Sequence, residues 1–233
     1  MNDSDPSETC PACEKPAGLC ICEAVSPVEN RIEVLILRHP QEQDRILGTA
    51  RIAELQLRKC AVKTGLSWPN LAKAVGRPAD PKRWGVLYLG TVVNSGTGAN
   101  RKPAVIAPLS IVDDKGLSIE DQAAALKRLE GIILLDGNWQ QAKALWWRNA
   151  WMLKCRRLVL RPRAPSLYGN LRREPRAESV STIEAAALTL AELEGKPGSA
   201  GRILAPFELL LEKARGGGEK PQAPAGTEKR WGS

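Results

Sequence analysis

Gly131-Ile132-Ile133-Leu134-Leu135-Asp136-Gly137-Asn138-Trp139-Gln140-Gln141-Ala142-Lys143 is an aliphatic run that ends on an acid, turns at a glycine and enters a helix-type sequence. A short continuous apolar run bounded by a turn predicts a strand covered on both faces, as in the parallel sheets of α/β proteins. The carboxyl end of such a strand opens onto the crevice where ligands bind, so Asp136 is delivered to a site. An equally good account is that Asp136 or Asn138 caps the following helix and Trp139 packs against the core. The segment alone leaves both uses open.

Outward from this segment the same alternation continues. Apolar runs predict strands at residues 32–37, 84–89, 104–107, 132–135 and 158–160, and amphipathic stretches predict helices at 44–59, 119–130, 139–151, 182–194 and 202–215. The fold class is therefore α/β, a sheet with flanking helices. Residues 94–100 read as a flexible loop, and residues 216–233, rich in Gly, Pro, Lys and Glu, as a disordered tail. There is no internal repeat, and neither a dinucleotide-binding glycine fingerprint nor a phosphate-binding P-loop.

Composition narrows the setting. The 233 residues are 43% hydrophobic, enough for one well-cored domain, and no apolar run approaches the roughly 18 residues of a membrane span. No membrane partner and no obligate protein partner are expected. The first eight residues are acidic and polar where a secretory signal is basic and then apolar, so the expected location is cytoplasmic. The net charge of +8 and an isoelectric point near 9.3 favour a polyanionic partner. Its distribution is uneven: from Lys154 to Arg176 there are eight basic residues and one acid, Glu174. Arginine predominates there and pairs with phosphate through two hydrogen bonds, which makes the stretch either an RNA-facing surface or a solvated basic face.

Cys10, Cys13, Cys20 and Cys22 stand as a unit in the first 30 residues, apart from Cys60 and Cys155. In a reducing compartment four clustered thiolates suit a tetrahedral structural zinc site better than disulfides; iron–sulfur or redox chemistry and unliganded thiols are the other accounts. The expected organisation is a cysteine knuckle at 1–30, a main domain at 31–215 and the tail at 216–233.

Three further motifs carry polar groups. Leu37-Arg38-His39-Pro40-Gln41-Glu42 ends an apolar strand and holds the only histidine, and Thr49-Ala50-Arg51 comes after it. A lone histidine at a strand end is commonly a structural hydrogen-bonding residue. Leu171-Arg172-Arg173-Glu174-Pro175 leads into Ser181-Thr182-Ile183-Glu184-Ala185, where Ser181 and Glu184 have the spacing of a capping box.

In this order, and over about residues 10–210, these motifs resemble the DTW-domain family of tRNA-uridine aminocarboxypropyltransferases. The cysteines resemble the family's cysteine cluster, and Asp136-Gly137-Asn138-Trp139 resembles its naming Asp-x-Thr-Trp element, with asparagine in place of threonine. Asparagine keeps hydrogen-bonding capacity but lacks the hydroxyl.

The resemblance implies a fold similar to SPOUT methyltransferases, with a carboxy-terminal trefoil knot. It also implies S-adenosylmethionine as co-substrate, tRNA as partner, and transfer of the 3-amino-3-carboxypropyl group to N3 of a uridine with release of methylthioadenosine. It casts Asp136 and Trp139 as catalytic. The co-substrate would fall to His39, Glu42, Thr49, Arg51, Asn138, Ser181, Thr182 and Glu184, the RNA to Arg156, Arg157, Arg161, Arg172 and Arg173, and zinc to the four cysteines. A methyltransferase using the same co-substrate, and a non-catalytic zinc-containing RNA-binding protein, are the alternatives.

Overall fold

The computed structural model describes residues 9–42, 46–87, 107–171 and 180–216. Among them six strands form one sheet: β1 Glu33–Arg38, β2 Cys60–Thr64, β3 Trp84–Leu87, β4 Leu109–Val112, β5 Gly131–Asp136 and β6 Arg156–Leu160. The order is β2-β1-β5-β3-β6-β4, all neighbours parallel except the edge pair β6–β4. β5 thus lies inside the sheet, which explains its aliphatic sequence. The register sets Arg38 of β1 beside Asp136 of β5, so both strands finish at one place.

Alternate side chains build two cores, one on each face. Val34, Ile36, Ile132 and Leu134 pack with α1 (Ala50–Gln56), α5 (Thr182–Glu194) and α6 (Ser199–Gly216). Leu35, Leu37, Val86 and Ile133 pack with α2 (Leu71–Val75) and the short 3-10 turn Ala150–Lys154. Gly131 is required by space: a β-carbon there would come within 2.5 Å of the fully buried Trp84 ring on the adjacent strand. Two helices remain: α3 (Gln122–Lys127), beside the edge strand β4, and α4 (Trp139–Arg148), directly after β5.

The cysteine segment packs on the α1–α5–α6 side. Cys13 and Ile21 are fully buried in that core, Arg51 Nε donates to the Ala12 carbonyl at 2.9 Å, and Lys213 Nζ donates to the Cys20 carbonyl at 2.6 Å.

Expectation and structure differ at several elements. The helix expected at 44–59 is only seven residues long, Ala50–Gln56. After it come the edge strand β2 and the short helix α2, neither of which was expected. The helix expected at 139–151 ends at Arg148 and gives way to the 3-10 turn, while the last helix begins earlier, at Ser199, and runs through Pro206. The strand expected at 104–107 lies almost wholly outside the described residues, and Ala107 itself is not in a strand; β4 begins two residues later. The 94–100 loop and residues 217–233 of the tail lie outside them too.

Candidate active site

The turn after β5 is built by its sequence. Gly137 has φ +154°, and a β-carbon on it would come 2.8 Å from Gln141 Cβ, so only glycine fits without displacement. Asn138 then caps α4: its Oδ1 accepts from the Gln141 N–H at 3.0 Å, and Gln141 Oε1 accepts from the Asn138 N–H at 2.7 Å. Asparagine is as good an N-cap as serine or aspartate, so the departure from threonine leaves the cap intact. Because Asn138 is the cap, Asp136 is released from that duty.

Asp136 is 7% exposed and ends β5. Its Oδ1 accepts from Thr182 Oγ1 at the start of α5, 2.5 Å away, and its carbonyl accepts from the His39 N–H at 3.0 Å. In front of it is an open cleft whose charged lining is Glu14, Lys15, Arg38, Glu42, Arg51 and Asp136. The two signs of charge suit a zwitterion or an anion with a protonated partner.

Lys15 was not singled out by sequence reasoning. It comes from the cysteine segment, is 3% exposed, and donates through Nζ to the carbonyls of Ile46 at 2.7 Å and Gly48 at 2.6 Å. Burial lowers its pKa to about 8, against the opposing pull of Cys13, Glu14 and Asp136. Nothing in the sequence around a lone lysine indicates burial; only the docking of the cysteine segment puts it here.

The other expected residues divide by place. His39 stands half-buried where β1 ends, its Nδ1 accepting from the Gln41 N–H at 3.3 Å, and Glu42 is buried in the turn Pro40–Glu42 at the cleft. Thr49 precedes α1 and its Oγ1 accepts from the Ile183 N–H at 3.3 Å. Arg51 pairs with Glu54 at 2.5 Å and lies 3.7 Å from Glu14, fastening the cysteine segment to α1. Ser181 and Glu184 form the expected capping box on α5. Glu184 also accepts from Ser166 Oγ and the Leu167 N–H, both at 2.8 Å, and so holds the 166–168 turn. Trp139, in the first turn of α4, is 42% exposed.

Among the described residues the arginines are not brought together. Arg156 and Arg157 begin β6, whereas Arg161 comes just past its end, on the side of the sheet where Asp136 lies. Arg157 donates to the Asp114 carbonyl at 3.1 Å; Arg161 Nη1 is buried without a hydrogen-bond partner among the described residues. Arg172 and Arg173 lie outside those residues.

The four cysteine sulfurs all lie within 4.8 Å of one another, with Cys10–Cys22 at 3.6 Å and Cys13–Cys20 at 3.8 Å. Zinc–sulfur bonds of about 2.3 Å arranged tetrahedrally place sulfurs about 3.8 Å apart, so the group is preshaped for a metal ion. The backbone N–H groups of Cys13 and Ala12 draw the Cys10 thiol down to about 6, toward the thiolate a metal requires, whereas burial and the neighbouring sulfurs push Cys22 up to about 12. Burial pushes Cys155 up to about 12 and Cys60 higher still, leaving both as inert thiols.

No described helix is long and apolar enough to cross a membrane. Comparison with known proteins matches the family model of the DTW domain to residues 7–215. A tRNA-uridine aminocarboxypropyltransferase 2 from Drosophila melanogaster is 29% identical over 207 residues, covering 87% of this chain and 73% of that protein. The protein of the same name from Mus musculus is 28% identical over 206 residues, covering 86% of this chain, which spans 61% of the mouse protein's length. No solved structure matches. With the model spanning nearly all of the described residues, the chain belongs to the DTW domain family.

Proposed function

We propose that the protein transfers the 3-amino-3-carboxypropyl group of S-adenosylmethionine to N3 of a uridine in tRNA, releasing methylthioadenosine. The names of the relatives favour this activity, and the observation that carries it here is the buried Asp136 carboxylate, held by Thr182 at a cleft lined by three cations. Bound there, S-adenosylmethionine supplies an electrophilic carbon activated by its sulfonium. Lys15, Arg38 and Arg51 offer positive charge for the carboxylate of an amino-acid moiety, and Glu42 offers a counter-charge for its amine. Asp136 accepts the N3 proton of the uracil, and the Thr182 hydroxyl orients the carboxylate. Trp139, at the rim, stacks on the base, as aromatic side chains do with unstacked nucleotides.

The same proposal includes zinc in the cysteine knuckle of residues 1–30, residues 31–215 as the catalytic domain, a SPOUT-like knotted topology, and action in the cytoplasm. His39, Thr49, Asn138, Ser181 and Glu184 serve the co-substrate site from behind, by fixing the strand ends and helix starts around it. Arg161, Arg172 and Arg173 are assigned to the RNA. Arg156 and Arg157 are assigned to a more distant stretch of its backbone.

Asp136→Asn tests the reading. Asparagine keeps the size and accepts the Thr182 hydrogen bond but takes no proton. Single-turnover release of methylthioadenosine with saturating tRNA should fall by roughly 10²–10⁴-fold while co-substrate binding stays within a few-fold. Activity within a few-fold of the parent refutes the assignment, and release of S-adenosylhomocysteine instead identifies a methyltransferase.

A further inference from the structure

Helix α4 leaves the crevice carrying tryptophan on its solvent side. Trp147 is 72% exposed, Trp139 42% and, in the following 3-10 turn, Leu153 58%. Single exposed apolar residues are ordinary, but this is a group, and a tryptophan held in water forgoes a large burial. Trp139, Lys143 and Trp147 are spaced four apart and so share one face of the helix.

The charge on the two chain segments that build this surface is positive, and the acid Asp80 comes near only at its far end, beside Cys155. Residues 139–154 contain Lys143, Arg148 and Lys154, all exposed, and no acid; residues 60–73 contain Lys63 and Lys73, both exposed, and no acid. These two segments are stitched together by the buried Asn149: its Nδ2 donates to the Leu66 carbonyl at 3.0 Å and its Oδ1 accepts from the Trp68 N–H at 2.8 Å. Ser67 Oγ adds a contact to the Arg148 carbonyl at 3.4 Å. Leu66, beside this seam, is 38% exposed.

The surface joins the crevice at both ends. Trp139 stands three residues from Asp136 at one end. At the other, Arg38, which lines the cleft, donates to Thr64 Oγ1 at 3.0 Å and accepts from the Gly65 N–H at 3.1 Å, directly before Leu66. Trp139 and Trp147 are about 12 Å apart along the helix at roughly 1.5 Å per residue, the length of three to four stacked nucleotides at about 3.4 Å each.

We propose that this face of α4, with the loop after β2, is the docking surface for the single-stranded loop that carries the target uridine, and that Trp147 is its stacking platform for a flanking base. The proposal rests on tRNA being the substrate. Five cations on two acid-free segments fit a polyanion and oppose an acid-free protein partner, and exposed tryptophans between lysines are the equipment of single-strand binding, since every base has a π-face. Paired RNA offers no such faces, so the surface selects looped over duplex RNA.

The test uses the full chain with two labelled probes, an RNA hairpin with a uridine-containing loop and a blunt duplex of equal length, titrated at several salt concentrations. Trp147→Leu should weaken hairpin binding by roughly 5- to 150-fold, the range for one lost base–aromatic stack, and leave duplex binding and the melting temperature nearly unchanged. Lys143→Gln with Arg148→Gln should flatten the salt dependence of hairpin binding by about 1.4 in log–log slope, at roughly 0.7 per single-strand phosphate contact. Hairpin affinity within twofold of the parent in both variants overturns the proposal, as does equal weakening for the duplex. Loss of self-association by Trp147→Leu with RNA affinity unchanged also overturns it, by making the face a contact between copies. A parent protein that binds neither probe nor tRNA sinks the tRNA reading itself, a result distinct from the others.

Discussion

Gly137→Ala tests whether the β5–α4 turn holds Asp136 as described. Two costs are built into the site. At φ +154° an L side chain is strained, worth of order 1–3 kcal/mol, and the new β-carbon would meet Gln141 Cβ at 2.8 Å and Oε1 at 2.9 Å. Moving Gln141 aside breaks its bond to the Asn138 N–H, half of a capping box worth about 1 kcal/mol. The sum is about 2–4 kcal/mol. For a chain of this size each kcal/mol lowers the melting temperature by about 2–4 °C, so a loss of roughly 4–16 °C is expected by calorimetry. The double variant Gly137→Ala/Gln141→Gly removes both atoms that the methyl strikes, so its loss should be smaller than the sum of the two single losses. A melting temperature within 1 °C for Gly137→Ala, or additive losses in the double variant, would refute this account of the turn.

Three other outcomes are expected. Purified protein should carry about one zinc ion by elemental analysis, and replacing the four cysteines by serine should remove the ion and lower the melting temperature. Lys15→Met should leave the Ile46 and Gly48 carbonyls without their donor, at a cost of about 2–3 kcal/mol read as a fall of several degrees, with faster proteolysis in the 46–48 turn; an unchanged melting temperature and cleavage rate contradict it. Arg161→Gln should weaken tRNA binding more than Arg156→Gln, because only Arg161 is at the crevice end of β6; equal effects at several salt concentrations would contradict that ranking.

How much was legible in the sequence depends on where each signal originates. β5 and its turn were legible because a strand inside a sheet must be aliphatic throughout and because Asp136-Gly137-Asn138 carries its own turn chemistry. The Ser181–Glu184 box was legible for the same local reason, and the Asn138–Gln141 box had the matching spacing and went unread. β2 was missed because Cys60–Thr64 is a half-exposed edge strand with neither a long apolar run nor clean alternation. α2 was missed because a five-residue helix is too short to show a period. Lys15 was missed because its burial is decided by tertiary docking alone. The spread of Arg156 and Arg161 to opposite ends of a strand could not be seen in a count of charges, since contiguity along the chain is not contiguity on a surface.

The clamp of Lys213 on Cys20 and Glu23 joins residues up to 193 positions apart, and it bears on how the protein is made. A ribosome adds about 5–20 residues per second, so the knuckle emerges roughly 10–40 seconds before the helix that fastens it. During that interval the cysteine segment, which carries Lys15 to the cleft, lacks this fastening. Fastening of the cysteine segment therefore waits on residues made late, and RNA close to the exit tunnel meets a secured site only after the helix carrying Lys213 has folded back onto that segment.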